Sequence, residues 1–208
     1  MPRAPSIPRP AAGDGRGERR RTSLLDATLR VVAREGAAGA SHRAVAAEAG
    51  VPLGSTTYYF ASRDEMLVEA LQHAATREIE AIRARLDRLT SRPPGTVDWT
   101  AEVVRYVGDQ LRPDATPTLL ARYHLQLEAT RRPELRAIYG AWTAAGLELA
   151  ETMLRAAGSP DPTGDAPVLV AALDGVALNQ LILLDGKARS RAVRALVTRL
   201  MDRLTSDA

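Results

Sequence analysis

Apolar residues recur at spacings of three and four along nearly the whole chain. Leu24, Leu25, Thr28, Val31 and Val32 form one such set, and Met66, Leu67, Ala70, Leu71 and Ala74 another. That period belongs to a helix with one buried face. No alternating β-branched run appears, and no Asn-Gly or Asp-Gly turn joins two such runs. The Asp174-Gly175 and Asp185-Gly186 pairs lie within or at the end of helical patterns instead. The expected fold is all-α.

Capping residues mark where helices begin and stop. Ser41 precedes a short helix through Ala49, and Gly50 ends it. Ser62 with Glu65 three residues on forms a capping box that opens a helix to about Leu89. Pro93 and Pro94 break the pattern, and helices follow over about 97–111 and 117–130. A long helix spans Pro133 to Ala157, with proline at its first position and Gly158 past its end. Two more, about 166–184 and 190–204, complete the chain. Residues 1–17, rich in Pro, Gly, Ala and Arg, read as a disordered arm.

Charge is unevenly placed. Residues 1–63 hold ten arginines against five acids, a net of +5, whereas the whole chain carries only +3. A basic amino-terminal third on a near-neutral body suits a phosphate-binding module joined to something else. Cysteine is absent, which removes disulfides, thiolate zinc sites and cysteine nucleophiles and fits a reducing cytoplasm. No unbroken run of eighteen apolar residues is present, so no membrane span is expected.

Ser41 to Phe60 carries the functional signal. A short helix, a glycine turn and a second, very short helix follow one another, with Ala46 and Ala47 small enough for close crossing and Val51 between the helices. The second helix presents Leu53, Ser55, Thr56, Thr57, Tyr58 and Tyr59. Hydroxyls and phenols on one short helix suit phosphate oxygens and base edges better than a core. Phe60, directly after it, reads as core.

Residues 19–67 resemble the DNA-binding domain of the tetracycline-repressor family. The matching positions are Gly36 to Gly39, Ser41 to Ala46, Ala49-Gly50-Val51, Tyr58-Tyr59-Phe60, and Ser62-Arg63 with Leu67. The resemblance implies a DNA-binding domain over 18–67 and a ligand-binding and dimerisation domain over 68–208. It further implies a dimeric, ligand-responsive repressor on a pseudo-palindromic operator. It places Ser41 and His42 at phosphate, Arg43 toward the groove, and Pro52, Leu53, Ser55 and Thr56 at the bases. Thr57, Tyr58 and Tyr59 then touch backbone, and Arg63 clamps phosphate beside a helix amino terminus.

In the remainder, Trp99, Tyr106, Tyr123, His124, Gln126, Tyr139, Trp142 and Met153 are the candidate lining for a small, largely apolar effector. Apolar stripes on the last two helices, including Leu173, Val176, Gln180, Leu181, Val193, Leu196, Val197 and Leu200, are the expected homodimer interface. No cofactor is expected. His124 with Glu128, and Glu69 with His73, stand at i,i+4 but lack a third ligand at matching spacing, so no metal is expected either. Three histidines, no Gly-rich phosphate loop and no G-x-S-x-G element leave no catalytic constellation.

Overall fold

A computed structural model describes residues 15–183 and 186–206. All regular structure among them is helical. The helices are α1 (Gly15–Gly39), α2 (His42–Ala49), α3 (Leu53–Tyr59), α4 (Arg63–Thr90), α5 (Trp99–Gln110), α6 (Thr116–Ala129), α7 (Pro133–Ala157), α8 (Pro162–Leu183) and α9 (Gly186–Thr205). They fall into two compact units. One comprises Met1–Glu78 with Pro117–Trp142, the other Ile79–Thr116 with Thr143–Ala208. The proposed arm over 1–17 lies mostly outside the described residues, but residues 15–17 already belong to the first turn of α1.

In the first unit α1 packs on α2 and α2 on α3. Its core holds Leu24, Val31, Val32, Val45, Phe60, Met66, Leu67, Leu71, Leu125 and Leu135, all essentially buried. Each such side chain contributes roughly 1.5–3 kcal/mol by leaving water. Phe60 is core, as its position after the short helix suggested. Charged pairs fix the helices laterally. Glu48 of α2 accepts from Arg30 Nε at 2.7 Å and from Arg34 Nη1 at 3.0 Å. Hydrogen bonds from Arg30 and then Arg34 hold its carboxyl below the usual range.

Gly36 interrupts α1 with φ 70° and ψ 176°, a backbone region essentially confined to glycine. A Cβ there would also come within 3.7 Å of His124 Nδ1 on α6. This break explains why one apolar-periodic segment ends before Ser41. At the end of α2, Gly50 sits at φ 65°. Its N–H donates to the Ala47 carbonyl at 3.2 Å and that of Val51 to Ala46 at 3.0 Å. The carbonyls that a helix end leaves bare are thereby satisfied.

In the second unit α9 packs on both α5 and α8. Val103, Val107, Leu111, Leu154, Leu169, Val197 and Met201 are its buried centre. Two helices start a turn earlier than the pattern predicted. The Asp161 carboxylate accepts from Gly164 N–H at 3.0 Å, capping a turn ahead of Pro167. Arg189 Nη1 donates to the Leu111 carbonyl at 3.3 Å, anchoring the added first turn of α9 to the end of α5. By length and composition α8 is apolar enough to cross a membrane, a property hidden from a search for unbroken apolar runs by Asp165, Asp174, Asn179 and Gln180.

Candidate nucleic-acid interface and effector site

The short helix α3 is held by α2 and by its own hydroxyls. Ser41 Oγ accepts from Ala44 N–H at 3.2 Å and starts α2. Thr56 is fully buried, and its Oγ1 lies 2.8 Å from the Leu53 carbonyl and 3.4 Å from that of His42. Thr56 therefore cannot face bases; its hydroxyl is satisfied inside the fold, which corrects the expectation. His42 is half-buried with Nδ1 buried and without a hydrogen-bond partner among the described residues. That nitrogen is unavailable to phosphate.

The opposite side of α3 is open. Pro52, Leu53, Thr57 and Tyr58 are exposed, while Ser55 and Tyr59 are half-buried. Tyr58 is 82% exposed and meets Tyr59 edge-on, ring centroids 5.0 Å apart. The Tyr59 hydroxyl in turn lies beside Gly17 at the start of α1, where Arg16, Arg19 and Arg20 are exposed. Arg43 on α2 and Ser41 are exposed too, and Arg43 has no hydrogen-bond or ion-pair partner among the described residues. A large ring in water, with exposed arginines and hydroxyls on the neighbouring helices, is a surface suited to a polyanion.

Arg63 departs from expectation. Its Nε donates to the Ala40 carbonyl at 3.1 Å and its Nη2 to that of Ala37. These are carbonyls just past the Gly36 break, so the guanidinium closes the end of α1. The start of α4 is capped by Ser62, whose Oγ accepts from Glu65 N–H at 3.0 Å. Glu65 reaches back to Ala61 N–H at 2.6 Å, one residue earlier than the reciprocal pattern requires.

The candidate effector residues divide between the units. Tyr123, His124, Gln126, Tyr139 and Trp142 belong to the first, and Trp99, Tyr106 and Met153, all half-buried, to the second. The His124 ring lies beside Gly36. Tyr123 and Trp142 converge on a charge that sequence reasoning missed. The Arg122 guanidinium carbon stands 5.1 Å from the Tyr123 ring centre and 5.5 Å from that of Trp142. Arg122 Nη1 lies 3.3 Å from Glu78 Oε1. Both charges sit on apolar stripes, Arg122 midway between Leu119 and Leu125, Glu78 following Leu71 and Ala74. A charge at a stripe position was the available signal.

Of the expected interface residues, Gln180, Val193 and Val197 are buried inside the second unit, so their side chains are spent within one chain. Leu173, Val176, Leu181 and Leu200 are half-buried, and Leu196 is exposed. The apolar surface that α8 leaves open runs instead along Val168, Ala171, Leu178 and Ile182. Its spacing of three, seven and four is one helix face.

Comparisons with known proteins agree with this architecture. The family profile described as "Bacterial regulatory proteins, tetR family" matches residues 24–70. That for "Tetracyclin repressor-like, C-terminal domain" matches residues 95–203. The HTH-type transcriptional regulator PksA of Bacillus subtilis (strain 168) is 41% identical over 71 residues, 33% of this chain and 35% of that protein. The HTH-type transcriptional repressor KstR of Mycolicibacterium smegmatis is 42% identical over 69 residues, 33% of this chain and 32% of that protein. These matches span about a third of each relative's length. Solved structures match far more of the chain. A TetR-family member from Streptomyces coelicolor A3, SCO1917, is 39% identical with a TM-score of 0.68, covering 87% of this chain and 97% of its own. The multidrug binding protein EbrR complexed with ethidium is likewise 39% identical, with a TM-score of 0.61 and the same coverage. The chain belongs to the tetR family of bacterial regulatory proteins.

Proposed function

We propose that this protein is a ligand-responsive transcriptional repressor that binds a pseudo-palindromic operator as a dimer. The observation that carries it is the open face of α3, where Tyr58 is 82% exposed beside Thr57 and Leu53, with Arg43 exposed on α2. Exposed hydroxyls and Arg43 supply base and phosphate contacts, and Arg16, Arg19 and Arg20 add phosphate neutralisation. Residues 18–67 form the DNA-binding part and 68–208 the ligand-binding and dimerisation part. A seven-residue helix specifies too few base pairs alone, so two copies read two half-sites.

The second copy is received by the open apolar face of α8 together with Leu196 of α9. Ile182 is 73% exposed, and an exposed apolar helix stripe of that kind is self-complementary across a twofold axis. For the effector, the first unit offers Tyr123 and Trp142. EbrR is seen complexed with ethidium and with malachite green, and we carry over from it only that such a sensor accepts flat aromatic molecules.

The test is selection of bound duplexes from a random library, followed by footprinting at stated salt. Two half-sites about one helical turn or a multiple apart, ~34 Å per turn, are expected. A single asymmetric site held by a monomer overturns the dimeric repressor. Effector action is then read by linkage: a ligand that weakens operator binding must itself bind more weakly, by the same factor, to the operator complex.

A further inference from the structure

We propose that Arg122 occupies, in the free protein, the place of a positively charged aromatic effector, and that Glu78 with the rings of Tyr123 and Trp142 selects that charge. This rests on the sensor role proposed above and names the ligand class. All four residues belong to the first unit. The Arg122 side chain is only 10% exposed and that of Glu78 21%, while Trp142 is 7% exposed.

A planar cation is recognised by two things: aromatic faces, whose quadrupole is negative, and a carboxylate close enough to neutralise it. Both are present, and both are turned on the guanidinium. Its carbon lies within 5.1 Å and 5.5 Å of the two ring centres. Its Nη1 stands 3.3 Å from Glu78, and its Nη2 donates to the Tyr123 hydroxyl at 3.4 Å. An anionic ligand would have to displace Arg122 from Glu78 while approaching Glu78 itself. A flat cation meets no such conflict: it replaces one planar delocalised charge by another, and the arginine moves toward solvent on its flexible stem. Arg122 is then the specificity-determining competitor, setting the affinity that an incoming cation must exceed.

Three dyes separate the contributions: ethidium as the flat cation, phenanthridine as its uncharged ring system, and 8-anilinonaphthalene-1-sulfonate as an anion. Arg122→Met removes the competitor's charge and keeps its apolar stem. Ethidium should then bind about tenfold tighter, equivalent to ~1.4 kcal/mol. Glu78→Gln should weaken ethidium by a similar factor and leave phenanthridine unchanged. Equal ethidium affinity in wild type and Arg122→Met, including no binding by either, overturns the proposal. So does a Glu78→Gln loss equal for charged and uncharged dyes, or an anion that outcompetes ethidium in the wild type. If Arg122→Met fails to fold, the doubly substituted Arg122→Met/Glu78→Gln protein, which removes both charges, is measured instead. Because loss of Arg122 frees the rings for either dye and loss of Glu78 weakens only the charged one, its ethidium-to-phenanthridine affinity ratio should fall about tenfold below that of wild type, and an unchanged ratio overturns the proposal. The sensor role itself fails on a different result, operator affinity unmoved by any ligand in a broad screen.

Discussion

The carboxylate of Asp26 on α1 lies 3.0 Å from Nε2 of His73 on α4. Arg77, one turn further along α4, reaches the same oxygen at 3.0 Å. One acid therefore ties the first helix of the DNA-binding part to the helix that leads out of it. The hydrogen bond from His73 is the main cause holding the Asp26 carboxyl below its usual range.

A depressed carboxylate stabilises the fold above its unfolded pKa and loses that contribution as pH falls through the lower folded value. Acid unfolding of the wild type should therefore have a component below about pH 4, the unfolded aspartate value. Asp26→Asn should remove that component. Because the Asp26 side chain is about a third exposed, the cost at neutral pH should be only ~1 kcal/mol. Urea midpoints measured from pH 3 to 7 check this, and parallel pH curves for the two proteins would contradict it.

Arg43 and Tyr58 make separable predictions on DNA. Arg43→Ala should cost about 1–3 kcal/mol on the best operator and relax preference at one base pair. Tyr58→Phe keeps the exposed ring and removes only the hydroxyl, so it should weaken all duplexes alike. Binding isotherms on an operator and its single-base variants read both. Unchanged affinity in folded proteins of both kinds would remove these residues from the interface.

Arg63 should behave as a structural residue. Its guanidinium is committed to the Ala37 and Ala40 carbonyls, so Arg63→Met takes the side-chain donor from both and leaves Ala37 only the Ala40 N–H at 3.3 Å. We expect a loss of ~1–3 kcal/mol in stability. Stabilising solutes should restore operator affinity, with the slope of log affinity against log salt unaltered. A phosphate-contacting arginine would instead lower that slope by about 1. The salt slope is the deciding measurement.

Much of this was legible in the sequence because the relevant physics is local. Ser41, Gly50, Ser62 and Pro133 each act on the backbone within one turn, and each marks a helix boundary in the structure. Phe60 followed from its position alone. Residue roles that depend on tertiary partners were not legible. Thr56 and Thr57 are adjacent threonines, yet one hydroxyl is buried between α2 and α3 and the other faces out. Nothing in the local sequence distinguishes them. Arg63 resembles a phosphate clamp until the Gly36 break presents it with carbonyls. On α8 and α9 every apolar stripe looks alike, because a helix packed on a neighbour and one packed on a symmetry mate have the same period. Only burial within one chain tells Val197 from Ile182.

That difference gives the last prediction. Ile182 is 73% exposed and Val197 fully buried in the same unit. Glutamate at each position places a charge where the wild type has an apolar group, but the consequences should differ. Val197→Glu buries an unpaired carboxylate inside the chain, which costs several kcal/mol and should unfold the second unit. Ile182→Glu leaves the isolated chain intact, since its side chain lies in water there. In a twofold dimer the same carboxylate is buried twice, once from each copy, so its cost is doubled at the interface. Ile182→Glu should therefore give a folded monomer with native helical content. Operator affinity should fall, because two half-sites are no longer bound by one preassembled unit. Leu178→Glu, one turn earlier on the same face, should repeat this result. Light scattering and circular dichroism on the three variants check it together. A folded Ile182→Glu protein that still scatters as a dimer would move the interface off α8, whatever the operator measurements show.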